Sequence, residues 1–165
     1  MRRILRLLYL NKIRYLLCGG VAVNLYGVPR TTVDLDLILD LSHENLKNFI
    51  LTIKNAGLTL KQPIEEKKIL DLSFRESLIK EKGVKVLTYI NLKNPLEVID
   101  FFIDPPVDFE EAFKKKNTLK VEDYEIYLVD IETLIKLKEK SKREIDLSDA
   151  ENLRKIQKIK SKNAN

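Results

Sequence analysis

A glycine pair and three carboxylates are the residues whose types and spacing suit chemistry in this chain. Gly19-Gly20 closes the apolar run Tyr15-Leu16-Leu17-Cys18, and Asp34 and Asp36 alternate with apolar residues in a second run. Glycines let backbone approach a phosphate closely. Carboxylates two apart on a strand point the same way and converge on one hard cation. A third acid, Asp100, lies within the run Glu97-Val98-Ile99-Asp100-Phe101-Phe102-Ile103. Three carboxylates on adjacent strands can hold two divalent cations roughly 3.5–4 Å apart, the arrangement that stabilises the attacking and leaving oxygens in phosphoryl or nucleotidyl transfer. Mg²⁺ suits such a set, because it takes a few carboxylates and completes its shell with substrate phosphates. Arg30 and Thr31 add donors from the intervening loop.

Taken singly, each feature has a plainer reading. An Asp-x-Asp pair on a strand is commonly a solvated face, and Gly-Gly is commonly a turn. Their conjunction, joined by one short helix, favours the chemical reading. Asp100 favours it further, since a carboxylate within an apolar strand is costly unless paired or metal-bound, and its strand carries no basic residue. Asp104 competes as the third acid. It precedes Pro105-Pro106 and falls past the strand end, so Asp100 is preferred.

The elements that must position these residues follow from pattern. A short amphipathic helix is expected over 3–10 and a strand over 14–18. A helix spans 20–26, stopped by Gly27 and Pro29. Alternation marks a strand at 32–39. Ser42 caps a helix over 43–56 that Gly57 ends, and 64–81 is helix-compatible. Strands are expected at 84–91 and 96–103 with a turn at Asn94-Pro95, then a helix at 109–116 and a strand at 124–128. Asp130 caps a helix running to about 142. A last helix begins after Asp146 or Ser148 and ends near 160, leaving a frayed tail at 161–165.

The run Gly19-Gly20-x-Ala22-x4-Gly27-x2-Arg30-x-Thr32-x-Asp34-x-Asp36 resembles the opening motif of the nucleotidyltransferase superfamily related to DNA polymerase beta. More narrowly it resembles the small minimal and abortive-infection toxin-type members. Asp100 in Ile99-Asp100-Phe101 matches the third acid, and Leu134-Ile135-x2-Lys138 with Arg143-x2-Asp146-x2-Asp149 is similar to the C-terminal helical pattern. The match spans residues 15 to 155. It implies an α+β fold, a nucleotidyltransferase-like mixed β-sheet flanked by helices with a helical C-terminal segment. It also implies that Asp34 and Asp36 bind both of two Mg²⁺ ions, that Asp100 binds one and assists deprotonation of the acceptor, and that Gly19 and Gly20 hold the triphosphate. Arg30 and Thr32 join the nucleotide site, with Lys138 and Arg143 as phosphate or acceptor contacts. The implied reaction moves a nucleoside monophosphate from an NTP, ATP among the candidates, to an acceptor and releases pyrophosphate.

Composition bounds the rest. The 165 residues, 44% of them hydrophobic, fit one domain over 1–160, within which the helices at 130–160 form at most a small subdomain. The lone Cys18 suits a small buried thiol in a reducing, cytoplasmic setting. No apolar segment approaches the roughly 18 residues of a membrane span. The basic-then-apolar start at residues 1–10 reads as a helix rather than a signal peptide. A net charge of +5 hints at an anionic partner.

The single His43, beside Ser42 at a helix start, suits a surface position; one histidine builds neither a zinc site nor an arguable triad. Tyr89, Tyr124 and Tyr127 suit packing, and Lys114 to Lys116 suit a solvated helix end.

Three functions therefore compete. The leading one is the metal-dependent transferase, with a protein, a tRNA or a small molecule as acceptor. The alternative is an interaction module of a toxin–antitoxin or defence pair, built on the same fold with little turnover and engaging a partner protein or tRNA. The third is a basic nucleic-acid-binding domain, which the lack of aromatics interleaved with basic residues disfavours.

Overall fold

The computed structural model describes the backbone of residues 1–163 and side chains through residue 159. The chain order is α1 (Arg2–Leu10), β1 (Tyr15–Cys18), α2 (Gly19–Tyr26), β2 (Asp34–Leu39), α3 (His43–Asn55) and β3 (Thr59–Leu60). A 3₁₀ turn (Glu66–Leu70), α4 (Leu72–Lys82), β4 (Val86–Asn91), β5 (Asn94–Phe102) and α5 (Phe109–Lys114) follow. The chain continues with β6 (Asn117–Val121), β7 (Tyr124–Leu128), α6 (Ile131–Ser141) and α7 (Glu144–Asn163).

Among the described residues the strands form one seven-stranded sheet in the order β3-β4-β5-β2-β1-β7-β6. It is mixed: β2 runs parallel to β5 and β1 to β7, while the other pairs are antiparallel. The expected α+β architecture is the one observed. The interior strand β1 is buried along its whole length, as a strand covered on both faces must be.

Period-two alternation divides β2, β4 and β5 between the two faces. Leu35, Leu37, Tyr89 and Phe101 are buried, and Phe49 of α3 stacks edge-on against Phe101 at 5.3 Å. Tyr89 and Phe101 pack together at 6.1 Å. This apolar face anchors the strands. The opposite face carries Asp34, Asp36, Thr88 and Asp100, and the helices that contact one another on that side are α2, α6 and α7. The N-terminal segment is the helix α1, with Ile4, Leu5 and Leu8 in the core. Among the described residues no helix is long and apolar enough to cross a membrane.

Several expectations need correction. The turn placed at Asn94-Pro95 lies at Leu92-Lys93, because Asn91 accepts from the Lys93 amide and turns the chain two residues earlier; Asn94 and Pro95 belong to β5. The segment 64–81 is not one helix. Asp71 accepts from the Ser73 amide and starts α4 afresh after the 3₁₀ turn. The last helix begins at Glu144, ahead of Asp146, with both acids in its first turn where the helix dipole favours them. Strands β3 and β6 had no expected counterpart; each pairs with only one neighbour at a sheet edge. The expected frayed tail, 161–165, falls largely outside the described residues: α7 continues to Asn163, and nothing beyond is described.

Candidate active site

Register brings the acids together. In the parallel β2–β5 pair, Asp36 lies opposite Asp100, and Asp34 precedes Asp36 by two on the same face. One oxygen from each of Asp34, Asp36 and Asp100 lies within 4.8 Å of the others. All three side chains are half-buried at one cleft of about 580 Å³. Asp104, the rejected competitor, lies past the end of β5 and pairs with Lys85 at 3.3 Å on the same cleft.

Each carboxylate is held by a donor. The Thr32 hydroxyl donates to Asp34 at 2.8 Å, and the Thr88 hydroxyl donates to Asp100 at 2.7 Å. The Gly20 amide donates to Asp36. These bonds fix the carboxylates without neutralising them. Burial, then the neighbouring Asp34 and Asp100 charges, push Asp36 up to about 6 from its ordinary 3.8. A crowded, oriented, oxygen-only donor set with an electrostatic deficit fits a hard divalent cation.

The glycine pair fits its place for steric reasons. Gly19 has φ +63°, and a Cβ there would stand 1.8 Å from Asp36 Oδ2. A Cβ on Gly20 would stand 2.7 Å from the Thr32 hydroxyl and 3.1 Å from Arg30 Cζ. The start of α2 therefore lies directly against the acid strand and the loop that carries Arg30. Cys18, as expected, is buried; its thiol donates to the Asp36 carbonyl at 3.3 Å, and burial holds it protonated.

The C-terminal hairpin forms the facing wall. Lys142, in the left-handed region at φ +59°, caps α6 and turns the chain into α7. Lys138 is buried between Asp146 at 2.6 Å and Asp149 at 3.0 Å. Arg30 reaches across from the α2–β2 loop to Asp149 at 2.6 Å. Arg143 Nε and the Ser141 hydroxyl both donate to Asp146 at 2.5 Å. These bonds, led by Lys138, overcome burial and hold Asp146 at about 2.

Of the residues singled out from sequence, Gly19, Gly20, Arg30, Thr32, Asp34, Asp36, Asp100, Lys138 and Arg143 line this one cleft, whereas Thr31, expected to add a donor beside Arg30, is not among its lining residues. Thr88 was missed. Its only signal was a hydroxyl on the cleft-facing positions of β4, cross-strand from Asp100. The roles of Asp146 and Asp149 as partners of Lys138 and Arg30 were also missed, since those contacts join distant segments.

No protein-family model and no curated protein sequence matches the chain. Solved structures do. The lincosamide antibiotic adenylyltransferase LnuA, in its lincomycin-bound crystal form, superposes with a TM-score of 0.61 at 15% identity over 94% of each chain. A candidate nucleotidyltransferase of Thermotoga maritima superposes with a TM-score of 0.56 at 18% identity, over 93% of this chain and 88% of that one. The fold is thus the one that these two structures share.

Proposed function

We propose that the protein is a metal-dependent nucleotidyltransferase, moving a nucleoside monophosphate from an NTP to an acceptor hydroxyl. The observation that carries this reading is the convergence of Asp34, Asp36 and Asp100 within 4.8 Å, on a cleft that Gly19 and Gly20 also line. The three carboxylates would hold the divalent metal, Mg²⁺ being the expected ion, and Asp34 and Asp36 would serve two ions if two bind. When bound, the metal supplies charge stabilisation to the attacking and leaving oxygens.

The chain's own residues do the rest. Thr32 and Thr88 hold Asp34 and Asp100 in orientation. The Gly19-Gly20 backbone at the start of α2, with Arg30, receives the phosphates. Arg143, largely exposed at the cleft mouth, offers its outer guanidinium nitrogens to phosphate or acceptor. Asp100 takes the acceptor hydroxyl proton. The acceptor oxygen then bonds to the α-phosphorus, the bond to the bridging oxygen breaks, and pyrophosphate leaves with the electron pair. LnuA, an adenylyltransferase by name, supports trying ATP first and small hydroxylated molecules among the acceptors.

Calorimetric titration of ATP, CTP, GTP and UTP tests the reading. At least one nucleotide should bind only with Mg²⁺ present. Asp34→Ala or Asp36→Ala should weaken that binding by roughly tenfold or more, and transfer by on the order of 100-fold. A wild-type protein that binds none of the four with Mg²⁺ would sink the proposal.

A further inference from the structure

The C-terminal hairpin holds a buried ionic cluster of Lys138, Asp146 and Asp149. Lys138, Asp146 and Asp149 are almost wholly buried, and the cluster draws in Arg30 from a loop 119 residues away in sequence. Arg30 is the member that lies against the glycine pair, its Cζ 3.1 Å from where a Gly20 Cβ would stand. Its Nη1 donates to Asp149, while its Nε is buried with no partner among the described residues. Lys138 shares Asp149 and Asp146 at 3.0 and 2.6 Å, so it meets carboxylates that would otherwise be buried and underpaired.

We infer that Asp149 is a positioning residue for Arg30: it parks the guanidinium at the glycine pair, where the arginine meets the nucleotide's phosphates. This rests on the nucleotidyltransferase reading and assigns a division of labour within it. Lys138 acts as counter-ion of Asp146 and shares Asp149 with Arg30. A guanidinium on a free loop would lose side-chain entropy each time it met a ligand; a moored one has already lost it. The unpartnered Nε leaves a donor that an arriving phosphate can satisfy after a small rotation, and a buried donor without an acceptor is costly enough to favour that pairing. Asp149 also keeps the arginine from the carboxylate trio, with which it would otherwise compete as an internal cation.

The test combines a ligand-free readout with a double-mutant cycle. In the ligand-free protein, the Arg30 Nε–Hε signal should be sharp and slowly exchanging in ¹⁵N NMR. Asp149→Asn, isosteric and able to fold around the same space, should broaden or shift it, and Asp149→Glu should restore it in part. In nucleotide titrations with Mg²⁺, Arg30→Ala and Asp149→Asn should each raise Kd by roughly tenfold. The double variant should be no worse than Arg30→Ala alone. Equal additional losses in the Arg30→Ala background would overturn the inference, as would an unmoved Arg30 signal in Asp149→Asn. If Arg30 responds to Asp149→Asn but the wild type binds no nucleotide, the mooring stands and the nucleotidyltransferase reading fails. Should Asp149→Asn prove unstable, Lys138→Met removes the competing donor from Asp149. That variant should leave Arg30 moored, and an Arg30 signal lost with Lys138 overturns the inference.

Discussion

Asp36 is the residue on which the site's electrostatics turn. It stands opposite Asp100 and two residues from Asp34, with burial adding to their repulsion. A carboxyl raised from 3.8 to about 6 favours the folded state while protonated; that contribution is complete below its ordinary value and is lost as pH rises through about 6. A divalent cation needs the ionised form. Mg²⁺ should therefore raise the melting temperature little near about pH 5 and substantially near about pH 8, as differential scanning fluorimetry would read. Asp36→Asn should remove the Mg²⁺ response and raise the metal-free melting temperature near pH 8. An equal Mg²⁺ effect at both pH values would contradict this account. Gly19 belongs to the same balance. Gly19→Ala places a methyl 1.8 Å from Asp36 Oδ2 at φ +63°. The backbone conformation alone costs about 1–2 kcal/mol, and displacement of Asp36 adds to it. The variant should show a lower urea midpoint together with a lost Mg²⁺ response; a wild-type Mg²⁺ response would show that the carboxylate does not need this glycine.

At the scale of elements, the parallel β2–β5 pair and the α6–α7 hairpin do different work. The strands set the acids in register, and the hairpin supplies the charged wall. Asp146 is buried without exposure, holds Lys138, Ser141 and Arg143, and sits in the first turn of α7. Asp146→Ala leaves Lys138 short of a partner, and breaking a buried pair in this way costs about 3–5 kcal/mol. Chemical denaturation should register a loss of that size, against a near-neutral exposed change such as Lys136→Ala. Much of this arrangement was legible in sequence. Alternation around Asp34 and Asp36, Gly27 behind α2 and Asp130 ahead of α6 are local signals, and local signals set local structure. Strand β6 was hidden, since Asn117 to Val121 is mostly exposed and pairs only with β7. The misplaced turn came from choosing Asn94 over Asn91, two residues with the same turn chemistry. The joining of Arg30 to Asp149 was out of reach, because nothing in either segment names the other.

At the scale of the molecule, one apolar cluster runs from Ile4 of α1 through β1, β2 and β5 to Leu153 of α7. Tyr26 of α2 donates to the Val129 carbonyl at 2.7 Å, and α6 contributes Leu134 and Ile135 to the same cluster. A C-terminal hairpin bound in this way has no core of its own to retain once the sheet opens. The chain should therefore unfold in urea as one unit, with far-ultraviolet circular dichroism and tyrosine fluorescence giving the same midpoint. The tyrosines report widely: Tyr15 lies in β1, Tyr26 in α2, Tyr89 in β4 and Tyr124 in β7. A nucleotide with Mg²⁺ that binds only the folded state should move both curves together, by about 2.7 kcal/mol at a hundred times its Kd. Helices melting ahead of the sheet would instead mean that the Arg30–Asp149 and Tyr26–Val129 links are too weak to couple them. In that case nucleotide should shift the first transition, because its cleft is walled by β2 and β5 on one side and α6 on the other. The order in which ligand moves the two curves thus distinguishes a wall built into the domain from one that closes on it.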